Sequence, residues 1–161
     1  MAYTTVNKSS VQFNVKLYTG NGADATAYTG VGFQPDLTWI KRRNGTNFHV
    51  WTDAVRGEGS ASYKLLFSDS SSVEYDGNDN GGSQGNINAI TSDGFSGVQG
   101  SSGYNNWNGN SFNYVAWNWK AGTTSGLSGG TITPAGYSIN ATSGFGIYKY
   151  TGNGTSGANL L

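Results

Sequence analysis

Apolar residues along this chain recur with a period of two rather than 3.6. From Gln12 to Tyr18, Phe13, Val15 and Leu17 fall on one face while Asn14 and Lys16 fall on the other. That is the pattern of a strand with one buried side. Asn113 to Lys120 alternates in the same way, with Val115, Trp117 and Trp119 opposed to Tyr114, Ala116 and Asn118. Leu37 to Lys41 reads as a strand buried on much of both faces. Pro35-Asp36 suits its start, because Pro cannot donate to a central ladder. Phe48 to Thr52 and Tyr63 to Ser68 add two further runs. Between them lie clusters of Gly, Asn, Ser and Asp, which tolerate the dihedrals of tight turns. The pattern predicts an all-β chain, an antiparallel β-sandwich of jelly-roll type. The expected core comprises Trp39, Trp117 and Trp119 with Phe33, Leu37, Val115 and Phe95.

Composition sharpens this picture. Charged residues make up 11% of the chain, against roughly 25% in ordinary soluble domains. With 26 Gly in 161 residues, the surface must be Asn, Ser, Thr and Gly rather than Lys and Glu. So much Gly and Ser alone would suit disorder. Five Trp, ten Tyr and seven Phe argue for a folded core instead, since disordered segments are poor in aromatics. The formal net charge of zero gives no broad electrostatic footprint for nucleic acid. Lys41-Arg42-Arg43 is the one basic cluster and reads as a solvated strand end. The absence of Cys excludes a disulfide framework and a Cys zinc site. No apolar run approaches the ~18 residues of a membrane helix, so no membrane partner is expected. Met1 to Thr5 lacks the charged and apolar regions of a signal peptide, which favours lysis or particle assembly as the route out of a cell.

The chain divides into an N-terminal arm (residues 1–10), a β-sandwich domain (11–122), a Gly/Ser/Thr linker (123–136) and a C-terminal piece (137–161). The linker has the composition of a flexible chain. The C-terminal piece carries the main internal signal. Phe145-Gly-Ile-Tyr-Lys-Tyr150-Thr-Gly-Asn-Gly154 repeats Phe13-Asn-Val-Lys-Leu-Tyr18-Thr-Gly-Asn-Gly22 at an offset of 132 residues. Phe, Tyr, Thr, Gly, Asn and Gly recur in register. The piece is therefore expected to be the first strand of a second copy, which begins a new domain or completes a sheet in the first domain or in a neighbouring subunit.

Four segments occur in order: Gly32-Phe-Gln-Pro-Asp-Leu-Thr-Trp-Ile-Lys41, Asp53-Ala-Val-Arg-Gly57, Asp93-Gly-Phe95 and Tyr114-Val-Ala-Trp-Asn-Trp-Lys-Ala-Gly122. The set resembles an uncharacterised domain of marine phage and metagenomic proteins, found singly or in tandem in large virion and tail-fibre proteins. The resemblance covers roughly residues 13–122 and restarts at 145. It implies a lectin-like, concanavalin-like β-sandwich. It carries over no activity, and a fold alone does not settle function.

Chemistry-bearing residues are sparse. Glu58 and Glu74 are the only Glu residues, and neither sits in a paired-acid strand pattern. Glycoside hydrolysis needs two acids about 5–10 Å apart across the bond. The seven Asp lie mostly in turn contexts such as Asp76-Gly77 and Asp93-Gly94. His49 is the only histidine, and no G-x-S-x-G surrounds any Ser, so no triad is legible. The chain is expected to be non-enzymatic, with no catalytic residue and no cofactor. Asp76, Asn78 and Asn80, followed by Gly81, match the first half of a calcium loop. The twelfth position is Ile87 rather than Glu, so a plain polar turn is favoured over a weak calcium site. Asp53 and Arg56 read as an ion pair pinning a turn in preference to a ligand pair. Tyr104, Asn105, Asn106, Trp107 and Asn110 hold the materials of a glycan site, an aromatic face flanked by amides. The same segment also reads as a hairpin tip whose Trp107 folds back on the core or on a neighbouring subunit.

These features point to a virion structural protein, a tail-fibre or appendage component. The alternatives are a capsid-surface decoration protein and a carbohydrate-binding module for host surface glycans. Low charge and abundant Tyr suit a surface that packs against copies of itself and other virion proteins. A homo-oligomer is expected, a trimer before a dimer.

Overall fold

Each alternating run becomes a strand that finds an antiparallel partner. The structure, a computed structural model, describes residues 8–57, 63–75, 85–99 and 106–160. Its strands are β1 (Phe13–Thr19), β2 (Thr26–Tyr28), β3 (Leu37–Arg42), β4 (Val50–Asp53), β5 (Leu66–Phe67), β6 (Asn86–Thr91), β7 (Gly94–Val98), β8 (Asn113–Trp119), β9 (Gly136–Asn140) and β10 (Phe145–Lys149). They form a five-stranded sheet in the order β5-β4-β3-β8-β1, a three-stranded sheet β2-β7-β6, and the hairpin β9-β10. Every strand pair is antiparallel. The chain is all-β, with no α-helix among the described residues. The two larger sheets pack as a sandwich.

The register of β8 decides which face is the core. Tyr114, Ala116 and Asn118 are fully buried, and Tyr114 and Ala116 join Tyr28, Ile40, Ile87, Phe95 and Trp107 in one cluster. Val115 is buried, but Trp117 and Trp119 on the same face are only half-buried. The alternation is as expected and Trp117 and Trp119 do share a face, but that face is the outer one. This corrects the expectation that Trp39, Trp117 and Trp119 are largely buried in the core. The second sheet and the 106–109 segment bring their own bulk, with Tyr28, Ile87, Phe95 and Trp107. A gap of about 10 Å between sheets then leaves room for Ala116, Thr38 and Asn118, rather than tryptophans, beside Tyr114 and Ile40 on the inner face of the central strands. Asn118 is tolerated there because its amide is satisfied. Thr38 Oγ1 donates to Asn118 Oδ1 at 3.2 Å, and Asn118 Nδ2 donates to the carbonyls of Asn14 (3.3 Å) and Ala116 (3.2 Å). Phe33 and Phe95 are buried as expected, and Leu37 is half-buried.

On the outer face, direct cross-strand partners line up as Leu66, Trp51, Trp39, Trp117 and Val15 across all five strands. Trp39 lies 4.9 Å from Trp117 and 6.0 Å from Trp51, ring to ring.

The C-terminal hairpin is tied to the end of this sheet through one buried carboxylate. Asp36 accepts the Ala121 N–H at 2.8 Å and the Ser138 hydroxyl at 3.3 Å. Its own N–H donates to Trp119 O, and its carbonyl accepts the Ala54 N–H. Thr123 and Ile139 exchange two backbone hydrogen bonds, and Phe145 stacks on Trp119 at 6.1 Å.

The three-stranded sheet is joined to the chain after β2 by Asp93. Its carboxylate accepts the N–H groups of Gly30 (2.9 Å) and Gly32 (2.6 Å), and its carbonyl accepts Val31 N–H. Gly94 follows with φ +153°, and a Cβ there would fall on the Tyr28 carbonyl. Gly94→Ala should cost at least ~2 kcal/mol through strain and overpacking, read by urea unfolding. The Gly30 and Gly32 N–H groups, with a smaller pull from Lys16, hold the Asp93 carboxyl below its usual range. A depressed folded value contributes stability at neutral pH that is lost as pH falls through it. The stability difference between the protein and Asp93→Asn should be constant near neutrality and shrink below roughly pH 4. A difference that grows on acidification would contradict this role.

Candidate functional site

The tip segment at 106–109 is folded inward. Asn106, Trp107 and Asn108 are each 1% exposed. Trp107 Nε1 donates to Val98 O at 2.8 Å, and the indole meets the Tyr28 ring edge-on. Three tyrosines from three strands reach this segment. Tyr18 donates its hydroxyl to Trp107 O at 2.7 Å, Tyr28 donates to Asn108 Oδ1, and Gly109 N–H donates to the Tyr114 hydroxyl at 2.9 Å. Their rings pack with Tyr18 central, 4.0 Å from Tyr28 and 5.1 Å from Tyr114. Burial pushes the Tyr18 phenol well above its usual value, Tyr28 up to about 12, and Tyr114 upward.

The other wall of this knot is the Thr19-Gly20-Asn21-Gly22 turn after β1. Asn108 Nδ2 donates to Asn21 Oδ1 (3.2 Å) and Ala23 O (2.8 Å), while Asn21 N–H donates to Asn108 Oδ1 at 3.1 Å. Gly22 N–H donates to Asn108 O at 3.0 Å. Gly20 is required by contact, because a Cβ there would fall on the Gly109 carbonyl.

This placement corrects the glycan reading of the tip. A stacking platform needs an open ring face, and Trp107 offers none, while Asn106 beside it is buried. Asn110 is exposed at the adjoining turn. Tyr104 and Asn105 lie outside the described residues, as do Asp76, Asn78 and Asn80 of the calcium candidate and Glu58. Among the described residues no group of three or more His, Cys, Asp or Glu is placed to hold a metal ion.

The Asp53–Arg56 pair does pin a turn. Asp53 Oδ1 accepts the N–H groups of Val55 (3.0 Å) and Arg56 (2.7 Å), and Arg56 Nε donates to Asp53 Oδ2 at 2.5 Å. Arg56 also donates to Trp51 O and to Glu74 at 3.3 Å, and Lys64 pairs with Glu74. His49 is half-buried, 3.8 Å from Asp69 and beside Trp39. Lys41 donates to the carbonyls of Gly45 and Asn47, and the Arg42 guanidinium lies over the Phe112 ring. Arg42 also donates to Asn44 Oδ1 and Asn47 Oδ1, so two members of the basic run clamp their own loop.

Concave surface lies instead at the seam between the five-stranded sheet and the C-terminal hairpin. One cleft of about 400 Å³ opens beside Asp36, Val55 and Tyr137. Another of about 300 Å³ is lined by Trp51, Arg56, Leu66, Tyr148, Lys149 and Tyr150. Nothing local in the sequence signals it, because it joins positions about a hundred residues apart. No helix among the described residues is long and apolar enough to cross a membrane.

The fold and its knotted tip define a β-sandwich module closed by a docked hairpin. A family model for a domain of unknown function, DUF7483, matches residues 8–160, and the chain belongs to that family. No curated protein matches, and no solved structure matches.

Trp107→Ala should lose about 3–5 kcal/mol, as expected for a core aromatic, measured by chemical unfolding. A stability unchanged by that substitution would restore the open-tip arrangement. Tyr28→Phe should cost about 1–3 kcal/mol by leaving Asn108 Oδ1 short of a donor. Raised tyrosine values also set an alkaline limit. The unfolded phenol ionises near ~10, so stability is complete below that pH and falls as pH rises towards the folded values. Tyrosinate absorbance and loss of structure should therefore appear together above pH ~10.

Proposed function

We propose that this chain is a non-catalytic structural module of a virus particle, a tail-fibre or appendage component that assembles with copies of itself. The observation that carries the proposal is the outer face of the five-stranded sheet. Val15 is 43% exposed, Leu17 58% and Trp51 37%, beside half-buried Trp39 and Trp117. Neighbouring exposed apolar side chains on one sheet face suit a protein interface. Aromatics are enriched and charges depleted in interface cores, which suits a chain with 11% charged residues. The described acids support a non-catalytic role because each holds structure. Asp36, Asp53 and Asp93 bind backbone N–H groups, Asp24 binds Gln99 N–H, Asp69 binds His49 N–H, and Glu74 binds Arg56. The resemblance to phage virion domains supports the particle.

A second reading, glycan recognition, is favoured at the cleft between Trp51, Tyr148 and Tyr150, where exposed rings flank Arg56 and Lys149. A glycan array with Trp51→Ala separates the two. Binding lost in that variant supports the glycan reading, and no binding supports the scaffold.

Mass spectrometry of purified particles from the source should find peptides of this chain, and their consistent absence would sink the virion proposal. Light scattering at micromolar concentration should show a homo-oligomer, with a trimer expected. The double substitution Val15→Asp, Leu17→Asp should yield monomers with an unchanged β-type circular dichroism spectrum. A wild-type monomer would remove the assembly argument.

A further inference from the structure

The segment Phe145–Gly154 repeats β1 and its turn in conformation as well as in sequence. Gly22 and Gly154 adopt φ of +69° and +70°. Asn21 Oδ1 accepts the N–H of Ala23 at 3.0 Å, and Asn153 Oδ1 accepts the N–H of Thr155 at 2.9 Å. The tertiary surroundings differ. β1 pairs along its length with β8, and its turn is the wall on which Asn108 sits. β10 pairs with β9 on one edge and with no described strand on the other. Tyr18 is half-buried with its hydroxyl on Trp107, whereas its counterpart Tyr150 is 52% exposed. Gly20 lies against the Gly109 carbonyl, whereas its counterpart Gly152 has nothing within 4 Å of an added Cβ.

We infer that β10 and its turn are a preformed first strand for a second copy of this fold, and that their partner is that copy's β8 strand and Trp-Asn-Gly knot. In the second copy Tyr150 takes the place of Tyr18 beneath the knot, and Gly152 admits the carbonyl that Gly20 admits in the first. Asn153 meets the counterpart of Asn108. Substitutions on the outer face fit this use. Lys149 stands where Leu17 is 58% exposed, and Ile147 stands for Val15. The poorer match is Gly146 for Asn14, which forfeits one hydrogen bond to the counterpart of Val31 O. The inference goes beyond the particle proposal and does not depend on it, since it concerns only which surface β10 fits.

A chain of residues 1–154 followed directly by residues 23–122 tests it. This supplies strands β2 to β8 of a second copy, with β10 standing in the place of its β1. The expected result is amide-exchange protection in both sets of β3 and β8. Gly152→Val should then remove protection from the added copy alone, while the same substitution in the 161-residue chain leaves its melting temperature unchanged. A version with residues 145–154 exchanged for 13–22 gives the reference for a competent first strand. An added copy that stays unprotected, or that folds equally well with Gly152→Val, overturns the proposal.

Discussion

The buried amide of Asn108 holds this sandwich together at one end. A primary amide has two donor hydrogens and two acceptor lone pairs, and here all four are used. Its Nδ2 donates to Asn21 Oδ1 and Ala23 O, and its Oδ1 accepts Tyr28 O–H and Asn21 N–H. These partners belong to the turn after β1 and to β2, so one side chain links the five-stranded sheet to the three-stranded one. Burial makes the link strict. A polar atom removed from water and left unpaired costs about 1–3 kcal/mol, so any slip of the turn or of β2 forfeits several such bonds together. The neighbouring Trp107 and the three tyrosines add the apolar mass that keeps water out of these bonds.

That knot explains why the sandwich reads inside out. With Trp107, Tyr28 and Phe95 filling the space between the sheets, β8 and β3 set Tyr114 and Ile40 against them and otherwise offer only Ala116, Thr38 and Asn118 to the interior. Their tryptophans are left for the opposite face. Trp39, Trp117 and Trp51 then build an apolar surface as a by-product of the packing. Part of it is sheltered where Phe145 stacks on Trp119, and Asp36 secures that arrangement from within. The remainder is the surface best suited to association.

The strands with a strong two-residue period were legible in the sequence. β1, β3 and β8 stand within a residue or two of where Phe13, Leu37 and Asn113 begin their runs. The pinned turn at Asp53–Arg56 was legible too, because Asp and Arg three apart before Gly57 have one compact use. β2, β6 and β9 were not. Thr26-Ala-Tyr28 and Gly136-Tyr-Ser-Ile-Asn140 are short, and in Asn86-Ile-Asn-Ala-Ile-Thr91 a register shift between Ile87 and Ala89 breaks the period, so their alternation is faint. The side of β8 that faces the core was also hidden. A period of two says that the faces differ, and hydrophobicity alone picks the Trp side. The buried amides that reverse the choice depend on partners as distant as Asn14 and Thr38. Trp107 was ambiguous for a related reason. Local sequence shows an aromatic among amides, and only the Tyr28 and Val98 contacts turn it inward. The seam cleft, built from Trp51 and Tyr150, has no local signature at all.

The two copies of the strand-and-turn motif separate what local sequence dictates from what tertiary contact adds. Both form a strand, both close the same Asn-centred turn, and both place Gly in the left-handed region. The motif therefore takes its shape before any knot is docked on it. Docking supplies the rest: the burial of the tyrosine, the close approach of a carbonyl to the first Gly, and the amide contacts of Asn108. A strand whose shape does not require its partner can be placed anywhere a copy of that partner is offered. What docking contributes is then set by how completely a Trp-Asn-Gly segment buries its amides against the turn, as Asn108 does against Asn21 and Ala23.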